Sequence, residues 1–239
     1  MDSEIKTPAR GRILFDGSRV ATPGPELFDA GHWPGRQVLQ GGRGQVYFVD
    51  CAEQAWVIKP YLRGGFVRRF IERSYLFLGY EKTRMFREYR LLRYLTSRNV
   101  PVPHPVAAWV SRSGLRYEGA IIIERFEGVH ALSEILLERQ LAASEWRAVG
   151  CCIGRLHDEH INHKDLNASN ILVNEASVFI IDFDRCALQR LGAPFYRRAN
   201  LRRLRGSLMR VAGAGGKFSA EDWDAFMRGY ASNGKDLHR

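Results

Sequence analysis

Apolar positions group along the chain in two ways. Short apolar or alternating runs bounded by glycine, proline or polar clusters predict strands. These are Arg12–Phe15, two runs within Val38–Val49 separated by glycines, Ala55–Lys59, Val106–Val110, Ala120–Ile123, Ile171–Val173 and Val178–Ile181. Apolar residues recurring every three or four positions predict helices over Lys82–Ser97, Ser133–Gln140, Ser144–His157, Asn200–Val211 and Ala220–Tyr230. Val100–Pro105, rich in proline, ends the first helix. Ser219 is placed to cap the last, with Glu221 and Asp222 in its first turn and Trp223, Phe226 and Met227 facing a core. Strands dominate the first half and helices the second, which predicts an α+β protein: a small antiparallel sheet with one helix, then a mainly helical part beginning near Phe126. Residues 1–36, with only Arg12–Phe15 strand-like, read as an N-terminal extension of no legible function.

Composition adds limits. With 239 residues and 45% hydrophobic content the chain can form one large or two small cores. No apolar run approaches the roughly 20 residues a membrane span requires, and the N-terminus has no secretory pattern. Cys51, Cys151, Cys152 and Cys186 form no C-x-x-C pair, so zinc and dithiol chemistry are not indicated and a reducing cytoplasm is. Thirty-six basic against 26 acidic side chains leave a net charge of +10. That excess suits nucleic acid, an anionic membrane surface or a highly anionic substrate.

The chemistry concentrates in residues 161–184. Asp165 is followed five residues later by Asn170 and twelve further on by Asp182. The runs Ile171–Val173 and Val178–Ile181, separated by Asn174, Glu175 and Ala176, read as a hairpin that brings its entry, Asn170, beside its exit, Asp182. Asp165 can accept the proton of an attacking hydroxyl, and Asn170 and Asp182 offer hard oxygens to Mg2+ bridging the phosphates of a nucleotide. The segment resembles the H-R-D-L-x-x-x-N loop and D-F-G element of the protein-kinase-like fold, here His163–Asn170 and Asp182–Asp184. Asp184 stands where that pattern has glycine, either as a further metal ligand or as a partner of Arg185.

Upstream residues fit the same scheme. Gly41, Gly42, Gly44 and Val46 lie in a turn where glycine lets backbone amides approach phosphate, although Leu39 takes the first glycine position of the kinase loop. Lys59 ends a strand like the V-A-I-K strand. Glu88 shares the stripe of Met85, Leu92 and Leu95, so its carboxylate needs a buried cation; Lys59 is the best choice, with Glu72 and Glu81 as weaker candidates for the partner role. Glu124–Phe126 falls where kinases bind adenine through backbone groups. Between these, residues 61–82 interleave Arg63, Arg68, Arg69 and Arg73 with Tyr61, Phe66, Phe70, Tyr75, Phe77 and Tyr80. Such a segment suits nucleic acid, sugar or a membrane interface, or a solvated helix packed by its aromatic face.

From Arg185 to Gly206 there is no serine or threonine, and no A-P-E element follows. Asn167 replaces the lysine usual in Ser/Thr protein kinases. A regulated protein kinase is thereby disfavoured. The Asn200–Val211 helix, with Leu201, Leu204, Leu208 and Val211 on one stripe and Arg198, Arg202, Arg203 and Arg205 around it, suits packing on the helical part better than lying on a membrane.

Taken with Tyr61–Gly65, Phe86–Leu92, Ile181–Arg185 and Asn200–Leu204, the loop resembles the 3-deoxy-D-manno-octulosonic acid (Kdo) kinases of Gram-negative lipopolysaccharide synthesis, over roughly Gly35–Tyr230. The resemblance implies a two-lobed fold divided at about residue 125. It implies ATP as phosphoryl donor, the 4-hydroxyl of Kdo in Kdo-lipid IV(A) as acceptor, and a peripheral position on the cytoplasmic face of the inner membrane, with no nucleic-acid partner. The competing classes are another small-molecule kinase, acting on a core heptose or an aminoglycoside, and an inactive scaffold that binds lipid or nucleic acid. All the base and metal positions being filled argues against the scaffold.

Overall fold

The computed structural model describes residues 3–8, 11–41, 44–51, 54–61, 76–189 and 195–232. The chain divides into two compact units, one of residues 1–93 and 103–127 and one of 94–102 and 128–239.

The first unit is built on an antiparallel sheet of seven described strands: β1 (Glu4–Lys6), β2 (Arg12–Phe15), β3 (Gln37–Gly41), β4 (Gly44–Cys51), β5 (Gln54–Pro60), β6 (Pro105–Ser113) and β7 (Arg116–Glu124). Their order is β1-β2-β6-β7-β5-β4-β3. Residues 1–36, read as an N-terminal extension of no legible function, contribute to this sheet and its core. β2 pairs along β6, from Arg12 opposite Val110 to Phe15 opposite Ala107, and Ile13 and Leu14 are fully buried. Ile13, Phe15, Val20 and Phe28 share one core cluster with Val49, Trp56, Ile58, Val106 and Ile122, with Trp33 packed against it. Both faces of the central strands are therefore covered, which is why Val106–Val110 and Ala120–Ile123 read as nearly continuous apolar runs rather than alternating ones.

Helix α1 (Arg84–Ser97) begins two residues later than the periodicity suggests, because Tyr80–Lys82 forms a 3-10 turn of its own. Met85, Phe86, Tyr89, Leu92 and Leu95 are buried on it. Asp16, just beyond β2, accepts from Arg93 of α1 at 2.7 Å and contacts His104 Nε2 at 2.9 Å, while the Ser18 hydroxyl donates to its other oxygen at 2.6 Å. Burial raises the Asp16 pKa, but Ser18, His104 and Arg93 outweigh it and bring the carboxyl down to about 2.

The second unit is mainly helical: α2 (Leu132–Glu138), α3 (Ala143–Asp158), α4 (Phe195–Gly213) and α5 (Ala220–Ser232). Glu145 reaches back to the Ala142 amide at 2.7 Å at the start of α3. At the start of α5 the Ser219 hydroxyl accepts from the Asp222 amide and Asp222 accepts from the Ser219 amide, a reciprocal cap. Helices α3 and α5 touch backbone to backbone through two glycines: a methyl on Gly150 would lie 2.0 Å from the Phe226 carbonyl oxygen, and one on Gly229 2.0 Å from that of Arg147. Strands β8 (His130–Ala131), β10 (Ile171–Val173) and β11 (Val178–Ile180) form one small sheet, and β9 (Ile161–Asn162) pairs with β12 (Ala187–Leu188). Among the described residues no helix is long and apolar enough to cross a membrane. Cys151, Cys152 and Cys186 are buried and form no disulfide, and burial pushes the Cys152 thiol up to about 12, so it stays protonated and donates to the Val178 carbonyl at 3.5 Å.

Candidate active site

The loop entering β10 is shaped by its own amides. Asn167 caps the 3-10 turn Ala168–Asn170, its Oδ1 accepting from the amides of Ser169 at 2.9 Å and Asn170 at 3.2 Å. The side-chain amides of Asn167 and Asn170 both donate to the Asp165 carbonyl oxygen, each at 2.9 Å. Buried Leu166 and Ala168 alternate with the half-buried Asp165, Asn167 and Asn170, so the loop is anchored by its apolar residues and presents its polar ones. Asn167, noted in the sequence only as an absent lysine, is the residue that sets the turn.

β10 and β11 form the hairpin expected, with Ile171 opposite Ile180. The Ile181 amide donates to the Asn170 carbonyl at 3.0 Å, which closes the hairpin's open end and brings the backbones entering Asn170 and Asp182 together. Asp182 itself has φ +66°, a left-handed conformation that a non-glycine residue adopts only where its surroundings impose it. Two contacts do so. The buried His163 ring donates from Nε2 to the Ile181 carbonyl at 3.0 Å, and Phe183 packs edge-on against that ring at 5.1 Å. Burial holds the His163 imidazole below its ordinary range, so it is neutral with its proton on Nε2. Its Nδ1 is a buried polar atom without a hydrogen-bond partner.

Helix α4 reaches this loop through two polar side chains. Asn200, only 1% exposed, accepts on Oδ1 from the His163 amide at 3.0 Å and from His157 Nε2 at 3.2 Å, and donates from Nδ2 to Asn162 at 3.1 Å. Two turns on, the Ser207 hydroxyl accepts from the Ala168 amide at 3.2 Å. Behind Asn200, the Tyr230 hydroxyl of α5 donates to His157 Nδ1 at 2.8 Å. Burial brings His157 down to about 4, which makes it the neutral imidazole this chain requires. Sequence reasoning used Asn200–Leu204 as a family resemblance and assigned Asn200 no task. A usable signal was present: Asn200 and Ser207 lie on the stripe of Leu204 and Leu208, the argument that singled out Glu88. The helix also starts at Phe195, ahead of the expected Asn200, and of the expected stripe Leu204 and Leu208 are buried while Leu201 and Val211 are only half-buried.

In the first unit Lys59 Nζ lies 3.1 Å from Glu88 Oε1, and Glu88 is 2% exposed. The other carboxylate oxygen accepts from the Tyr61 hydroxyl. Tyr61, read in the sequence only as part of the arginine-aromatic segment, directly follows β5 two residues beyond Lys59, its amide donating to the Gly119 carbonyl at 2.8 Å. Glu81, a weaker candidate for that carboxylate role, pairs with Arg90 instead, and Glu72 lies outside the described residues. Strands β3 and β4 pair out to Gly41 opposite Gly44, with Val46 opposite Leu39. Gly42, the Tyr61–Gly65 element beyond its first residue and the arginines at 63, 68, 69 and 73 lie outside the described residues.

Glu124 is the last residue of β7 and Phe126 lies two residues beyond it. The Glu124 amide donates to His104 at 2.9 Å and that of Arg125 to Ala55 at 2.9 Å, so neither amide is available to a base. The Glu124 carboxylate accepts from the His104 amide and faces Arg19 at 3.8 Å. An open cavity of about 510 Å3 lies beside it, lined by Arg19, Asp50, Gln54, Ala55, Glu124, Arg125 and Glu127. Its arginines are matched by carboxylates, Arg125 with Asp50 at 2.8 Å and Glu127 at 3.0 Å, so it is no anion site.

Among the described residues no group of three or more His, Cys, Asp or Glu is placed to hold a metal. The loop itself offers a carboxylate and a carboxamide. Because the Asn170 NH2 is committed to the Asp165 carbonyl, Oδ1 is the end that can face a cation. That donor set fits Mg2+, which takes few protein ligands and completes its shell with water and phosphate oxygens.

A protein from Stenotrophomonas maltophilia (strain R551-3) named 3-deoxy-D-manno-octulosonic acid kinase is 41% identical over 219 residues, 88% of this chain and 87% of that one. One of the same name from Xylella fastidiosa (strain 9a5c) is 40% identical over 219 residues, with the same coverage. Among solved structures, "WaaP in complex with acyl carrier protein" matches with a TM-score of 0.57 at 18% identity, covering 82% of this chain and 78% of that one, a likeness of fold. The fold is thus the α+β, kinase-like one. Residues 34–230 match the model of the Lipopolysaccharide kinase (Kdo/WaaP) family, and with relatives this similar over most of their length the chain belongs to that family.

Proposed function

We propose that the protein transfers the γ-phosphoryl group of ATP to the 4-hydroxyl of the Kdo residue of Kdo-lipid IV(A), as a peripheral enzyme of the cytoplasmic face of the inner membrane. The acceptor sugar rests on the shared name of relatives about 40% identical to this chain. The chemistry rests on one observation, the hairpin closure between Ile181 and Asn170 that brings the entry to Asp182 against a loop tied through the Asp165 carbonyl.

In this reading Asp165 orients the sugar hydroxyl and takes its proton as the oxygen attacks. Asn170 and Asp182 would hold Mg2+, which neutralises phosphate charge as it develops. Lys59 sets a cation against the nucleotide phosphates, and Glu88 with Tyr61 fixes where that cation stands. The turn of Gly41, Gly42 and Gly44, with Val46 of the same loop pattern, serves the nucleotide phosphates, and Glu124–Phe126 borders the adenine. The working lobes divide near residue 125. The acceptor is phosphorylated and carboxylated, which matches the net charge of +10; nucleic acid is no part of this reading.

Mass spectrometry of Kdo-lipid IV(A) after incubation with enzyme, ATP and Mg2+ tests it. One added phosphate on Kdo at the 4-position is the expected product. Transfer to a core heptose but not to Kdo would assign the chain to another sugar-kinase activity.

A further inference from the structure

Leu115 sits at the turn between β6 and β7 and is 70% exposed. The segment Leu76–Leu78 lies against that turn: Leu76 bridges Arg116, and the Phe77 amide donates to the Leu115 carbonyl at 3.0 Å. Leu76 and Leu78 are themselves 59% and 61% exposed. Single exposed leucines are ordinary, but three adjoining ones at a turn are not. Under them Phe77 packs edge-on against Tyr80 at 5.0 Å and Tyr117 at 6.4 Å. Arginines surround these rings. The Arg112 guanidinium stands 4.9 Å over Phe77 and that of Arg12 4.5 Å over Tyr80, while Arg116 is exposed beside Leu76.

Two demands meet on this surface. The leucines gain by leaving water, and arginines whose apolar stems lie along aromatic rings keep their charged ends at the boundary, where phosphate binds them. An interface that is apolar within and anionic at its face meets both. A second copy of the chain would set arginine against arginine. A small acidic protein would satisfy the charges, but a projecting turn with leucine at its tip enters a soft layer more readily than it matches a rigid surface.

We propose that the β6–β7 turn and Leu76–Leu78 form the face that docks the protein on an anionic bilayer, with Leu115 and Leu78 entering the headgroup region. This rests on the proposed lipid-linked acceptor for its purpose alone. Binding is measured with neither ATP nor acceptor, so it can fail while the kinase reading stands, and the reverse.

The test is co-flotation of the full chain with phosphatidylglycerol-containing vesicles and with pure phosphatidylcholine vesicles. The full chain should float with the anionic vesicles only. The double variant Leu78→Ser/Leu115→Ser should lose about tenfold or more in partitioning, and Arg12→Gln/Arg116→Gln about tenfold, more at low salt than at high salt. Leu115→Trp should retain or strengthen binding, and a deacylated, soluble Kdo acceptor should be phosphorylated equally by all variants. Undiminished flotation of the leucine variant would overturn the assignment. So would wild-type flotation that ignores lipid charge, or self-association or capture of a small acidic protein that these substitutions abolish while flotation persists.

Discussion

Asn200 of α4 accepts the backbone N–H of His163 at 3.0 Å, so a helix that begins 25 residues after the catalytic loop's last residue, Asn170, holds the loop's first residue in place. The same oxygen accepts from His157, and the Asn200 amide donates to Asn162. Replacing Asn200 by Ala strands several buried polar groups at once, each worth about 1–3 kcal/mol and not additive. A loss of about 3 kcal/mol in urea unfolding is expected. Ser207→Ala, which removes one acceptor, should cost about 1 kcal/mol. At temperatures where both variants remain folded, kcat should fall more than the KM for ATP rises; an equal change in both would assign Asn200 to stability alone.

Asp165 is proposed to act on the acceptor hydroxyl, and the bonds that Asn167 and Asn170 make to its backbone carbonyl oxygen do not depend on its side chain. Asp165→Ala should therefore keep those two bonds while lowering kcat by roughly 10²–10⁴-fold. Substantial residual turnover would refute the role.

Glu88 holds both Lys59 and Tyr61. Glu88→Gln keeps the shape and removes the charge that fixes Lys59, so transfer should fall steeply. Tyr61→Phe removes one hydrogen bond and should cost about 1 kcal/mol of stability with a smaller kinetic effect. Radiolabelled transfer and calorimetry on the two variants check this order.

Acid should destabilise the protein in two stages. His157 has its pKa lowered from 6.5 to about 4 by burial, so it stays neutral in the folded protein while the unfolded chain takes up a proton below 6.5. Its contribution is complete above pH 6.5 and is lost on descent toward pH 4, about 3 kcal/mol. His163 shifts in the same direction for the same reason. Asp16, held at about 2 rather than 3.8, adds stability that persists above 3.8 and disappears as pH falls toward 2. Urea midpoints from pH 7.5 to 3 should show both declines, and His157→Gln should flatten the first.

Gly229 lies against the Arg147 carbonyl oxygen, 2.0 Å from where a methyl would stand. Gly229→Ala should push α5 from α3 at a cost of about 2 kcal/mol and weaken the Tyr230–His157 bond. A loss of protection for α4 amides in hydrogen exchange would show the effect reaching Asn200.

What the sequence by itself determined is what spacing along the chain encodes. The Asp165, Asn170 and Asp182 grouping lies within one loop and hairpin, and a hairpin's geometry follows from short apolar runs and a polar turn. Glu88 was legible from farther away because a carboxylate on an apolar stripe demands a cation, and one lysine stood at the end of a nearby strand. The tertiary structure decided the rest. Arg12–Phe15 read as strand-like with no partner named, and pairing with β6 supplies the hydrogen bonds and core that four residues cannot supply alone. The order Tyr230, His157, Asn200, His163 joins residues that a polar side chain can reach only after four segments have packed. Asparagine, histidine and tyrosine each bond to many partners, so their identities leave the pairing open. Close approach at Gly150 and Gly229, and burial that keeps His157 neutral, select one of them.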